Sequence, residues 1–141
     1  MYSIKVFLVD DSAIIRQRLK RMLTDIANVE IVGEAGEVQE ATNAILQNKP
    51  DVVLLDIHLL GGSGIDVLEA IKKAQPAPSV IVLTNYPYPQ YRQRCIQSGA
   101  DYFFIKSTEF EQVVPALEKL CNRTDGAGAH GDGLTGTTKS I

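Results

Sequence analysis

The chain is poor in cysteine, has no long apolar run, and carries no strong excess of either charge. Only Cys95 and Cys121 are present, without a CxxC pair or a histidine beside either. That excludes a disulfide framework and a clustered thiolate metal site, and buried free thiols in the cytoplasm are expected. No apolar stretch approaches the roughly 20 residues that span a bilayer. The N-terminus, MYSIKVFLVD, passes from a strand-like run straight to charge, without a signal-peptide core. A formal net charge of −3 offers no field for holding nucleic acid. Neither a membrane nor direct nucleic-acid contact is therefore expected. No internal repeat appears, and 141 residues suit one domain with a real core.

What is present is an alternation of short apolar runs with helical patterns. Strands are predicted at Ile4–Val9, Val29–Glu34, Asp51–Leu55, Ser79–Leu83 and Tyr102–Ile105. Between them, helix 1 carries Ile15, Leu19, Met22, Leu23 and Ile26 on one face. Helix 2 carries Val38, Ala41 and Ile45 and stops before Pro50. Helix 3 follows Gly64 with Ile65, Leu68 and Ile71, and helix 4 spans about Pro89–Ser98 with Gly99 as a left-handed cap. Helix 5 carries Phe110, Val113, Val114, Leu117 and Leu120, with Thr108 and Glu111 as a candidate capping box. Pro115 inside it predicts a kink or a delayed start. Five βα units with buried-type strands such as DVVLL give an α/β fold, a five-stranded parallel sheet covered by helices on both faces. Residues 122–141 hold five of the eleven glycines and only two large aliphatic residues, and are expected to be a flexible tail. The folded domain is therefore placed at 1–121.

The stretch VFLVDDS ends a buried-type strand in two adjacent carboxylates, Asp10 and Asp11, that repel each other. Strand 3 ends in Asp56, strand 4 in Thr84 and strand 5 in Lys106. In a parallel sheet these ends share one edge. Ligands in such sheets bind there, where strand order reverses; for order 2-1-3-4-5 that is between strands 1 and 3, which bear the acids. Three carboxylates in one place call for a cation, and oxygen donors suit Mg²⁺. A hydroxyl and an ammonium complement a phosphoryl group, so the chemistry implied is phosphoryl transfer with a carboxylate as candidate nucleophile. Spacing alone does not say which carboxylate.

The segments LVDDS, LLDIHLLGGSG, LTN and GADYFFIKS, in this order and at these separations, resemble the receiver domain of two-component response regulators over about residues 3–121. The resemblance implies a doubly wound, flavodoxin-like (βα)5 sandwich. It implies that Asp56 accepts the phosphoryl group, and that the protein is a phosphoacceptor rather than an enzyme in the ordinary sense. Asp11 and Asp56 would bind Mg²⁺ through side chains, the main-chain carbonyl of His58 would add a ligand, and Asp10 would act through water. Thr84 and Lys106 would hold phosphoryl oxygens. Phe103, three residues before the lysine, matches the aromatic switch position that biases the α4-β5-α5 surface. The implied partners are a sensor histidine kinase or a histidine phosphotransfer domain, with a downstream protein target and a phosphorylation-dependent homodimer as further expectations.

Three positions depart from the family pattern. Leu60 stands where proline is common, which implies a less rigid loop after Asp56. Ser107 replaces the frequent proline after Lys106, which puts the usual cis bond there in question. Asn85 is larger than the small residue common there; with His58 and Tyr86 it is expected to crowd the phosphoryl site and slow loss of the group. The alternative is that His58 and Tyr86 are plain exposed loop residues. Ile14, off the core face of helix 1 near Arg18 and Arg21, is a candidate docking spot for the kinase bundle or a phosphotransfer domain. Tyr86, Tyr88 and Tyr91 are candidate partner or dimer contacts, or part of a loop stiffened by Pro87 and Pro89. The leading expectation is a stand-alone receiver, with no helix-turn-helix or catalytic unit after residue 121. The alternatives are the receiver part of a DNA-binding transcriptional regulator and, from another class, a haloacid-dehalogenase-type Mg²⁺ phosphatase.

Overall fold

The structure, a computed structural model, describes residues 3–86 and 88–125. Strands β1 (Ile4–Val9), β2 (Val29–Ala35), β3 (Val52–Leu55), β4 (Ser79–Thr84) and β5 (Tyr102–Ile105) form one parallel sheet, in the order β2-β1-β3-β4-β5. Successive strand residues face opposite sides, and this alternation builds two cores. Phe7, Val9, Val53, Leu55, Val80, Val82 and Phe103 point to one side. There they meet Ala41 and Ile45 of α2 (Val38–Asn48), Leu68 and Ile71 of α3 (Gly64–Ile71), and Cys95 of α4 (Pro89–Gln97). Val6, Leu8, Leu54, Ile81, Leu83 and Tyr102 point to the other. They pack on Leu19 and Leu23 of α1 (Ala13–Thr24) and on Val113, Leu117 and Leu120 of α5 (Val113–Asp125). The doubly wound five-stranded sandwich and its expected order are thereby borne out.

The helix ends follow from local chemistry. Ser12 caps α1 by accepting from the Ile15 N–H at 3.2 Å. Pro89 occupies the first turn of α4, where its missing N–H is not needed, and Gly99 follows that helix with φ +104°. Helix 5 needs correction. After β5 the chain makes one helical turn (Lys106–Glu109) and a 3-10 turn (Phe110–Gln112) before α5 begins at Val113. Pro115 therefore lies in the first turn of α5, the delayed start that its ring demands. The Thr108–Glu111 capping box does not form, because Thr108 lies within the preceding turn, and Glu109 instead accepts from the Ile105 N–H at 2.8 Å. Helix α5 continues to Asp125, past the boundary expected at 121; residues 126–141 of the expected tail lie outside the described residues, as does Pro87. The sequence pattern also missed a small hairpin after Asp56, His58–Leu59 pairing with Gly62–Ser63.

Candidate functional site

Each acid is placed by backbone pairing at a strand end. The Asp10 N–H donates to the Ala35 carbonyl at 3.0 Å, and the Asp56 N–H donates to the Val9 carbonyl at 2.9 Å. Asp10 and Asp56 are buried and Asp11 is exposed. One Asp10 oxygen, Oδ1, accepts from the Ser12 N–H at 2.9 Å. The buried Thr84 ends β4, next to β3 in the sheet, and its hydroxyl accepts from the Tyr86 N–H at 3.1 Å. Behind Asp56 the start of α3 comes so close that a Cβ on Gly64 would lie 1.9 Å from the Asp56 carbonyl oxygen. Only glycine permits that approach.

Lys106 is the counterion. Its Nζ lies 2.8 Å from Asp10 Oδ2 and 3.0 Å from Asp56 Oδ2, with both carboxylates and the ammonium largely shielded from solvent. Burial raises the Asp56 carboxyl above its usual range; Lys106 pulls it down and the neighbouring Asp10 pushes it up. Burial pulls the other way on Lys106, but hydrogen bonding and charge from both carboxylates more than reverse it and raise the ammonium's value. One ammonium does not balance three carboxylates. Asp10, Asp11 and Asp56 each offer an oxygen, and these oxygens lie within 4.8 Å of one another. An all-oxygen donor set with uncompensated negative charge fits a hard divalent cation such as Mg²⁺.

The other sequence candidates divide. Phe103 is fully buried under α4, with the Arg92 guanidinium 5.1 Å from its ring centre. The exposed side chains of His58 and Tyr86 are not independent: their rings stack at 3.9 Å. Asn85 is exposed beside them. Tyr88 and Tyr91 meet edge to face, Tyr88 exposed and Tyr91 leaning on the core. Ile14 is 77% exposed, whereas Arg18 lies with its guanidinium 4.0 Å from the Phe110 ring centre, beside the recess lined by Lys106 and Ser107. Among the described residues the sole cis peptide is Gln75–Pro76, so Lys106–Ser107 is trans. Leu60 does what proline cannot: its N–H donates to the Gly36 carbonyl at 3.3 Å, while its own carbonyl accepts from Val38 at 3.0 Å. Sequence reasoning passed over Arg16 and Gly36, which touch the back of the acidic loop, and Glu34, which holds Arg16. The charge pairing of Arg16 with Glu34 joins residues eighteen apart, and only the β1–β2 pairing reveals it.

The model of the response regulator receiver domain matches residues 6–118. This chain belongs to the response regulator receiver family. The receiver is 34% identical over 116 residues to the sensory transduction protein LytT of Bacillus anthracis, covering 82% of this chain and 46% of LytT. It resembles the solved signal receiver domain of the response regulator NarL from Mycobacterium tuberculosis, with TM-score 0.76 and 30% identity, covering 87% of this chain and all of that one. A LuxR-family DNA-binding response regulator from Staphylococcus aureus gives TM-score 0.77 at 25% identity, covering 83% of this chain and 98% of that one. The receiver spans about half the length of the curated relatives it matches. No helix among the described residues is long and apolar enough to cross a membrane.

Proposed function

We propose that this receiver accepts a phosphoryl group on Asp56 from a phosphohistidine of a sensor kinase or phosphotransfer domain, in the cytoplasm. The observation that carries the reading is the buried Asp56 carboxylate at the end of β3, paired with Lys106 and within reach of Asp10 and Asp11. In the transfer an Asp56 oxygen bonds to phosphorus as the phosphorus–nitrogen bond breaks, and the imidazole leaves with the electron pair. Lys106 leaves its carboxylate partners to hold one phosphoryl oxygen, and the Thr84 hydroxyl donates to another. Mg²⁺, held by Asp11, Asp56 and the His58 carbonyl, with Asp10 acting through water, would neutralise charge on the phosphoryl oxygens. Phosphorylation then shifts Phe103 and the α4-β5-α5 surface, on which Tyr88 and Tyr91 stand ready for a protein partner or a second receiver. The step uses the protein's own carboxylate once per phosphoryl group, as a phosphoacceptor rather than a turnover enzyme.

Acetyl phosphate with Mg²⁺ tests this directly. Intact-mass analysis should show one added phosphoryl group, absent in Asp56→Asn, and borohydride reduction of the acyl phosphate should release phosphate and leave homoserine at position 56. Label on Asp10, or undiminished label in the variant, would overturn the assignment.

A second reading is favoured by the length of the relatives and by the DNA-binding neighbour: the receiver is the input part of a transcriptional regulator. An immunoblot of the native gene product separates it from the stand-alone reading by size. The phosphatase reading falls away with the family match, and the acids after strand 1 are adjacent rather than in the DxD pattern that reading requires.

A further inference from the structure

Asp11 is the exposed member of the acid trio, and among the described residues its carboxylate has no hydrogen bond or ion pair. Its direction must therefore be imposed by the backbone. The Asp10 carbonyl and the Asp11 N–H belong to one rigid peptide plane, so whatever fixes that carbonyl also aims the Cα of Asp11. The Arg16 guanidinium does so, with Nη1 donating to the Asp10 carbonyl at 2.5 Å. Arg16 is held from behind by Glu34 of β2, whose Oε1 accepts from Nε at 2.7 Å. Lys20 grips the other Glu34 oxygen. These partners hold the Glu34 carboxyl below its usual range, Lys20 contributing most.

The turn after β2 closes over this contact. A Cβ on Gly36 would lie 3.1 Å from Arg16 Nη1 and 3.3 Å from both the Asp10 carbonyl oxygen and the Asp11 Cα. The same turn accepts the Leu60 N–H from the loop after Asp56. One brace thus touches both halves of the carboxylate site.

We propose that Arg16, anchored by Glu34, is a positioning residue that fixes the Asp10–Asp11 peptide so that Asp11 faces Asp56 across the cation site. The proposal rests on the Mg²⁺-dependent reading of the site. Loss of Arg16 frees the peptide to rotate and weakens the cation's hold, although it also removes a positive charge from the neighbourhood. Those two effects have opposite signs, which makes the test decisive.

Mg²⁺ binding is measured by calorimetry on the full chain at fixed ionic strength, with thermal unfolding in the absence of Mg²⁺ alongside. Arg16→Ala should weaken Mg²⁺ binding by about tenfold, the lower end for outer partners of metal ligands. Glu34→Gln should weaken it less and in the same direction. Arg16→Lys should recover only part of the loss, because one ammonium lacks the fork that serves the Asp10 carbonyl and Glu34 together. Binding as tight as, or tighter than, the parent in Arg16→Ala overturns the proposal. Should that variant fail to fold, unchanged affinity in both Glu34→Gln and Arg16→Lys overturns it equally. Asp11→Asn separates the two layers: undiminished Mg²⁺ binding there sinks the metal reading itself, and the proposal with it.

Discussion

At the scale of the residue, the site is a study in three unequal aspartates. Asp10 and Asp56 are buried and share one ammonium, whereas Asp11 is exposed. Burial raises the Asp56 carboxyl above its unfolded value, so between those two values the native state holds more protons than the unfolded chain. Stability then falls as pH rises from the unfolded value through the folded one, because ionising this carboxyl costs more in the fold than in water. Asp56→Asn should accordingly be more stable than the parent at pH 7 without divalent cation, and the difference should shrink as acid protonates the parent's carboxyl. Urea unfolding at several pH values checks this, and an Asn variant less stable at neutral pH would contradict it. The inequality of Asp10 and Asp11 was read from sequence through the family resemblance. Its cause was not readable: Lys106 selects Asp10, and that pairing needs strands 1 and 5 brought to a common edge.

At the scale of the element, the loop after Asp56 is the informative one. A proline was missing at Leu60 and a looser loop was expected, yet the segment is tied down by a hairpin and by the Leu60 bridge to the β2–α2 turn. The N–H that proline would have deleted makes one of the two hydrogen bonds of that tie. The loop's other end depends on Gly64, where α3 starts against the Asp56 carbonyl. Gly64→Ala should cost about 1–3 kcal/mol, the scale of overpacking a close contact, measured by denaturant unfolding. It should also slow phosphoryl uptake from acetyl phosphate, because relief of the clash moves the Asp56 backbone. Unchanged stability would show that α3 can shift freely there. Strand periodicity and proline or glycine punctuation made the five strands and the first four helices legible to within a residue or two, while the last helix starts later than expected. The missed hairpin has strands of two residues each, too short for any period to register.

At the scale of the whole molecule, one edge of the sheet gathers the three carboxylates, Thr84 and Lys106. Ile14 stands 77% exposed at the start of α1, on the same edge as the acids and apart from both cores. A lone apolar side chain there suits a kinase or phosphotransfer domain that must bring its histidine to Asp56. Ile14→Asp should lower phosphoryl transfer from the cognate kinase by about tenfold or more, as for an interface anchor, and spare uptake from acetyl phosphate. Equal loss in both assays would point to a damaged fold and remove Ile14 from the interface. Arg18, expected near Ile14 on α1, lays its guanidinium over the Phe110 ring.

The sequence by itself determined the alternating architecture and the residue types delivered to the strand ends, because period-2 and period-3.6 apolar patterns are local and each acid, hydroxyl or lysine follows its own strand. The tertiary structure decided the pairings: Lys106 with Asp10 and Asp56, His58 on Tyr86, and Arg16 between Glu34 and the Asp10 carbonyl. These contacts join segments far apart in the chain, and their geometry follows from sheet register and helix approach rather than from any spacing along it.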